Sequence, residues 1–142
     1  VQKQIEVFMY MFYWNYVFKL FMTKYWGDKY RTIPVFVDDL PNDMLGNFAH
    51  TLDGTNSIWL ANNQDLSDRE LLGVLLHEMC HHVVFEKYGC EEVDAHGSEW
   101  KYEMQSVGFK DPKAKTDGCN FFSEQEHQKL VLEFKNNRRG LL

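Results

Sequence analysis

A chain of 142 residues with 44% hydrophobic and 15% aromatic side chains has the material for a packed core, which argues against a disordered chain and predicts one domain over residues 1–142. The net charge of −6 argues against a protein that coats nucleic acid, whose binding domain is normally basic, and leaves DNA contact only to a local patch. Cys80, Cys90 and Cys119 are an odd set without a C-x-x-C pair, which excludes a four-cysteine zinc ribbon and a disulfide framework and fits a reducing, intracellular setting.

The apolar stretch from Val7 to Met22 is interrupted by Asn15 and Lys19 and preceded by Glu6. It is shorter than the roughly 20 residues a bilayer requires, and it lacks a small-residue cleavage signature, so neither a membrane span nor a signal peptide is expected. Val7, Met11, Trp14, Phe18, Phe21 and Tyr25 fall at spacings of three and four, which predicts a helix over about residues 3–26, stopped at Gly27-Asp28. Ile33-Pro34-Val35-Phe36-Val37 reads as a strand with Pro34 near its start. The Asp53-Gly54 turn between Phe48-Ala49-His50-Thr51 and Ile58-Trp59-Leu60 predicts a hairpin within residues 47–60.

Ser67-x-x-Glu70 is a capping box opening a helix to about Tyr88, with Gly89 as a left-handed stop. A shorter helix is expected over roughly Asp94–Val107, ended by Gly108. A second capping box, Ser123-x-x-Glu126, opens a last helix to about Arg138 with Leu130, Val131 and Phe134 inward. The fold class expected is α+β, with helices packed on a small, mostly antiparallel sheet.

Within the long helix stands His77-Glu78-Met79-Cys80-His81. Histidines four apart share one face, so both nitrogens can approach one zinc ion at roughly 2.0–2.1 Å. Glu78 lies too far round the helix to share the metal closely but can take a proton from the metal's water, whose pKa zinc lowers. The preceding Leu71-Leu72-Gly73-Val74-Leu75-Leu76 is apolar nearly all round, and polar groups buried there need partners. Catalytic zinc takes three protein ligands. A third histidine at the H-E-x-x-H-x-x-G-x-x-H spacing is absent, because Val84 and Lys87 stand there. A glutamate about 20 residues on finds Lys101, with Glu99 and Glu103 nearby. His96, followed by Gly97, is the best candidate, facing back across a loop.

His77-Glu78-x-x-His81, then His96-Gly97-x-x-Trp100 and Gly108, resembles the SprT-like zinc metallopeptidases, the group that includes the Spartan protease. Tyr13-Trp14-Asn15-Tyr16 and the strand Ile58-Trp59-Leu60 look similar too, and the resemblance spans roughly residues 5–109. It implies a minimal zincin-like core, one zinc ion held by His77, His81 and His96, and Glu78 as catalytic base. It also implies that Ile58, Trp59 and Leu60 form the substrate-binding edge along which an extended peptide adds as a strand, giving broad sequence preference. The expected activity is a zinc endopeptidase acting on protein or peptide substrates, DNA-associated proteins among them. The alternative is a non-enzymatic module stabilised by zinc. The sequence has no ribbon or long basic tail after the core, and Lys110, Lys113, Lys115, Lys129, Lys135, Arg138 and Arg139 read as solvated surface rather than a DNA site.

Other polar residues carry weaker expectations. His82 is expected to pack rather than ligate, and Cys80 to fill core. His50, His127 and Tyr102 are candidates for orienting substrate or stabilising an oxyanion, though structural roles are favoured. Asp94, Glu99 and Glu103 are candidate acceptors for the ligand imidazoles.

Overall fold

A computed structural model of the chain describes residues 9–89, 95–110, 112 and 119–137. Helix α1 (Tyr10–Trp26) buries Tyr13, Trp14, Val17, Phe18, Phe21 and Met22 along the expected stripe. It ends at Gly27, whose left-handed φ of +57° and ψ of 36° cost least without a Cβ. The predicted beginning of this helix, residues 3–8, lies outside the described residues.

Strands β1 (Val35–Asp38), β2 (Gly46–Ala49) and β3 (Ser57–Ala61) form one sheet in the order β1-β3-β2. The hairpin is as expected, with Phe48 opposite Ile58 and Gly46 opposite Leu60. β1, however, runs parallel to β3, with Val35 opposite Ile58. The sheet is therefore mixed rather than mostly antiparallel. Parallel neighbours need a long crossover, and here the segment containing β2 serves as that connection.

This order corrects the expectation that Ile58–Leu60 forms a free edge. β3 is the middle strand, hydrogen-bonded on both sides. Ile58 and Leu60 are fully buried, and Trp59 packs on Phe36 with ring centroids 4.6 Å apart. The β1 edge is closed by Asn15 of α1. Its Oδ1 accepts from the Val35 N–H at 2.9 Å and its Nδ2 donates to the Val35 carbonyl at 3.0 Å, in the manner of a neighbouring strand. Among the described residues, the edge left open is β2, apart from the Phe48 N–H that donates to Glu78.

Helix α2 (Asp68–Tyr88) begins at the capping box, with Ser67 accepting from the Glu70 N–H and the Glu70 carboxylate accepting from the Ser67 N–H. Every residue from Leu71 to Cys80 is buried, which explains the absence of a polar stripe in that run. Gly89 takes a positive φ of +81°, but with ψ 159° it is extended rather than left-handed helical. Helix α3 (Ser98–Val107) starts four residues later than expected, with Gly97 as its cap. Residues 90–94, including Asp94, lie outside the described residues. Helix α4 (Glu124–Asn137) follows the second capping box, and its Phe134 packs against Tyr13 at 5.5 Å. The whole is an α+β arrangement with the core between the sheet and the helices. Among the described residues, no helix is long and apolar enough to cross a membrane.

Candidate metal centre

α2 supplies His77 and His81 one turn apart, and the turn before α3 supplies His96. One ring nitrogen of each lies within 4.8 Å of the others. The Nε2 atoms of His81 and His96 are 3.1 Å apart, close to the roughly 3.3 Å expected for two imidazoles at tetrahedral zinc. His96 precedes α3 rather than beginning it. The extended backbone of Gly97, with φ −82° and ψ −163°, makes the turn that brings it back towards α2.

Trp100, in the first turn of α3 and fully buried, supports all three rings. Its indole lies 5.0 Å from His77, 5.3 Å from His81 and 4.7 Å from His96. α3 is itself tied down by the buried Glu103 carboxylate, which accepts from Trp26 Nε1 at 3.2 Å and pairs with Lys87. Glu103 is thus committed to joining three helices and is not an acceptor for the ligand imidazoles.

The electrostatics suit a cation. Burial, reinforced by the neighbouring His77 and His96, pushes His81 down to about 3, and burial also lowers His96. The His81 and His96 imidazoles are therefore neutral near pH 7, with lone pairs that can coordinate. Glu78 is buried beside them, its Oε2 3.9 Å from His77 Nε2. Desolvation raises its carboxyl to about 8, an effect partly offset by a hydrogen bond from the Phe48 backbone N–H. Three histidines with an adjacent carboxylate are a donor set that fits a divalent metal, zinc among them.

The centre lines a cleft of about 480 Å³ together with Gly46, Phe48 and Phe85. A β-carbon at Gly46 would lie 2.6 Å from Val74 Cγ1 and 3.1 Å from Glu78 Oε2. β2 therefore passes directly over the carboxylate. Gly46, Phe48 and the supporting Trp100 escaped the sequence-based search for site residues. Only the Trp100 position in H-G-x-x-W pointed to one of them.

The other candidates divide. His50 lines the cleft, stacked on Phe85 at 5.0 Å. His82 is buried and its Nε2–H donates to the Arg31 carbonyl at 2.9 Å, a packing role as expected. Cys80 is likewise buried. His127 is buried on α4, and Tyr102 is exposed; neither lines the cleft.

The profile of the SprT-like family matches residues 14–120, well over half of the chain and all of the metal centre. The chain belongs to the SprT-like family. Searches of curated proteins and of solved structures gave no match. The SprT-like match runs from within α1 through the histidine triad and past α3, so it covers the sheet and the candidate metal centre and ends before α4. Membership of this family carries a metallopeptidase-related role.

Proposed function

We propose that this SprT-like chain is a zinc-dependent endopeptidase that hydrolyses extended polypeptide with broad sequence preference. The observation that carries the reading is the buried Glu78 carboxylate between the three-histidine cluster and an open strand edge. A site that only held helices together has no use for that carboxylate.

The β2 edge explains how a peptide is held. Ala61 N–H donates to the Leu45 carbonyl, so by antiparallel alternation Leu45, Asn47 and Ala49 turn their backbone groups towards β3. Gly46 and Phe48 turn theirs towards the cleft. A substrate adding as a further strand would pair with the Gly46 N–H and carbonyl and with the Phe48 carbonyl, the Phe48 N–H being held by Glu78, and main-chain pairing reads no side chains.

When bound, zinc supplies Lewis-acid polarisation of the scissile carbonyl, acidification of water and a positive charge that draws Glu78 towards its ionised form. The Glu78 carboxylate takes the proton of the attacking water. The same carboxyl then gives that proton to the leaving amine nitrogen. Its burial suits the first step, because a carboxylate whose pKa burial raises is a stronger base than an exposed one. Trp100 holds the imidazoles in place, and the β2 edge holds the peptide against the base.

Unfolded or peptide segments of other proteins, including those bound to DNA, are the proposed substrates, with one zinc ion per chain. An intracellular setting suits the free Cys80 and Cys119 thiols. The test is cleavage of an unfolded protein by the zinc-loaded chain, with and without single- and double-stranded DNA. Cleavage lost on chelation and restored by one equivalent of zinc is expected. A folded, zinc-bound chain that cleaves no unfolded, peptide or DNA-bound protein would instead favour the non-enzymatic module.

A further inference from the structure

We infer that Gly46 is the positioning residue for Glu78: the missing side chain on β2 allows the carboxylate and the peptide-docking edge to occupy adjoining space. The inference rests on the peptidase reading for its kinetic consequence, but its structural consequence stands apart from it.

A glycine within a strand weakens the strand and marks close approach of another group. Gly46 is not among the glycines with positive φ, so backbone conformation does not demand it. Space does. A β-carbon there would meet Val74 Cγ1 at 2.6 Å, Glu78 Oε2 at 3.1 Å and Glu78 Cγ at 3.2 Å. The first distance is one that real β-carbons essentially never show, and the other two are tighter than nearly all ordinary contacts.

Side chains alternate along a strand, so positions 46 and 48 both face α2. The same short strand therefore meets Glu78 twice, through the bare α-carbon of Gly46 and through the Phe48 N–H. A methyl group at position 46 must lift β2 from α2 or turn the carboxylate aside. Either movement separates the base from the edge on which the peptide lies. The atoms nearest a β-carbon at position 46 belong to Val74 and Glu78 rather than to the metal-binding imidazoles, so metal binding is not the property at stake.

The two neighbours allow the packing role to be separated from the positioning role. Gly46→Ala is expected to lower kcat by about ten- to a hundredfold, the scale of a small displacement of a reacting group, with KM changed by less than about threefold. Zinc uptake should be unchanged. Val74→Ala alone should stay within about threefold of wild-type kcat. In the double variant Gly46→Ala/Val74→Ala the 2.6 Å conflict is gone, so the thermal midpoint should return to that of Val74→Ala. The kcat should remain low, because the contacts with Glu78 persist. A double variant with wild-type kcat, or a Gly46→Ala variant with no loss, overturns the inference.

A second readout does not depend on cleavage. In the metal-free protein the Phe48 amide resonance, whose position Glu78→Gln identifies, should move in the same sense in Gly46→Ala and in the double variant. A wild-type Phe48 resonance in the double variant overturns the inference even if the chain hydrolyses nothing, an outcome that would separately end the peptidase reading.

Discussion

The indole of Trp100 lies nearly parallel to the imidazole of His81, with centroids 5.3 Å apart and planes inclined by 14°. It meets His96 edge-on at 83°. One buried side chain therefore fixes the orientation of candidate ligands from two elements that are separated in sequence.

Removing it should loosen the centre before it abolishes it. Trp100→Ala is expected to weaken metal binding by about 10–100-fold, the scale for losing a group that supports metal ligands. It should also cost about 3–5 kcal/mol of stability through the cavity left behind. Trp100→Phe should retain more of both. Competition with a chelator and urea unfolding measure the two effects. Unchanged affinity in Trp100→Ala would mean that the stack is only packing.

Stability of the metal-free chain should depend on pH in a way that identifies Glu78. Its folded pKa of about 8 exceeds the ordinary 4.5, so the stabilisation is complete below about pH 4.5 and is lost as pH rises towards 8. His81 acts oppositely. Its folded pKa of about 3 lies below the ordinary 6.5, so its contribution is present above pH 6.5 and lost as pH falls. Lowered pKa values give His82 and His96 the same sign. Between about pH 6.5 and 8 the Glu78 effect dominates these groups, with a slope of at most about 1.4 kcal/mol per pH unit. Urea midpoints across that window should fall in the wild type and stay level in Glu78→Gln. Equal slopes in the two proteins would show that Glu78 is not the group responsible.

Docking on the β2 edge predicts an alternation in the ligand. Two versions of one inhibitory peptide, N-methylated at alternate amides in complementary registers, should differ in affinity by about tenfold. The weaker version lacks the donors that face Gly46 and Phe48, at about 0.5–1.5 kcal/mol each. Equal inhibition by the two peptides would count against strand addition.

Much of the metal centre was legible because its determinants are local. The Ser67–Glu70 capping box fixes the start of α2, the four-residue spacing puts His77 and His81 on one face, and His96-Gly97 lies within one loop of them. The sheet was less legible. Asp53-Gly54 marks the hairpin between β2 and β3, but no local signal tells Val35 to pair in parallel with Ile58. That pairing puts β3 in the centre and passes the open edge to β2. Asn15 was visible as an aromatic-flanked asparagine, yet its closure of the β1 edge requires Val35, 20 positions away. Gly46 was silent for another reason: a missing side chain has no periodicity, and its importance emerges only when Val74 and Glu78 are seen beneath it.

The central claim is that Glu78 is the base of a zinc peptidase, and the rate of hydrolysis of an unfolded protein by zinc-loaded wild type and Glu78→Gln tests it most directly. At equal zinc content, the variant should lose at least about a hundredfold in kcat. Undiminished hydrolysis by Glu78→Gln would contradict it.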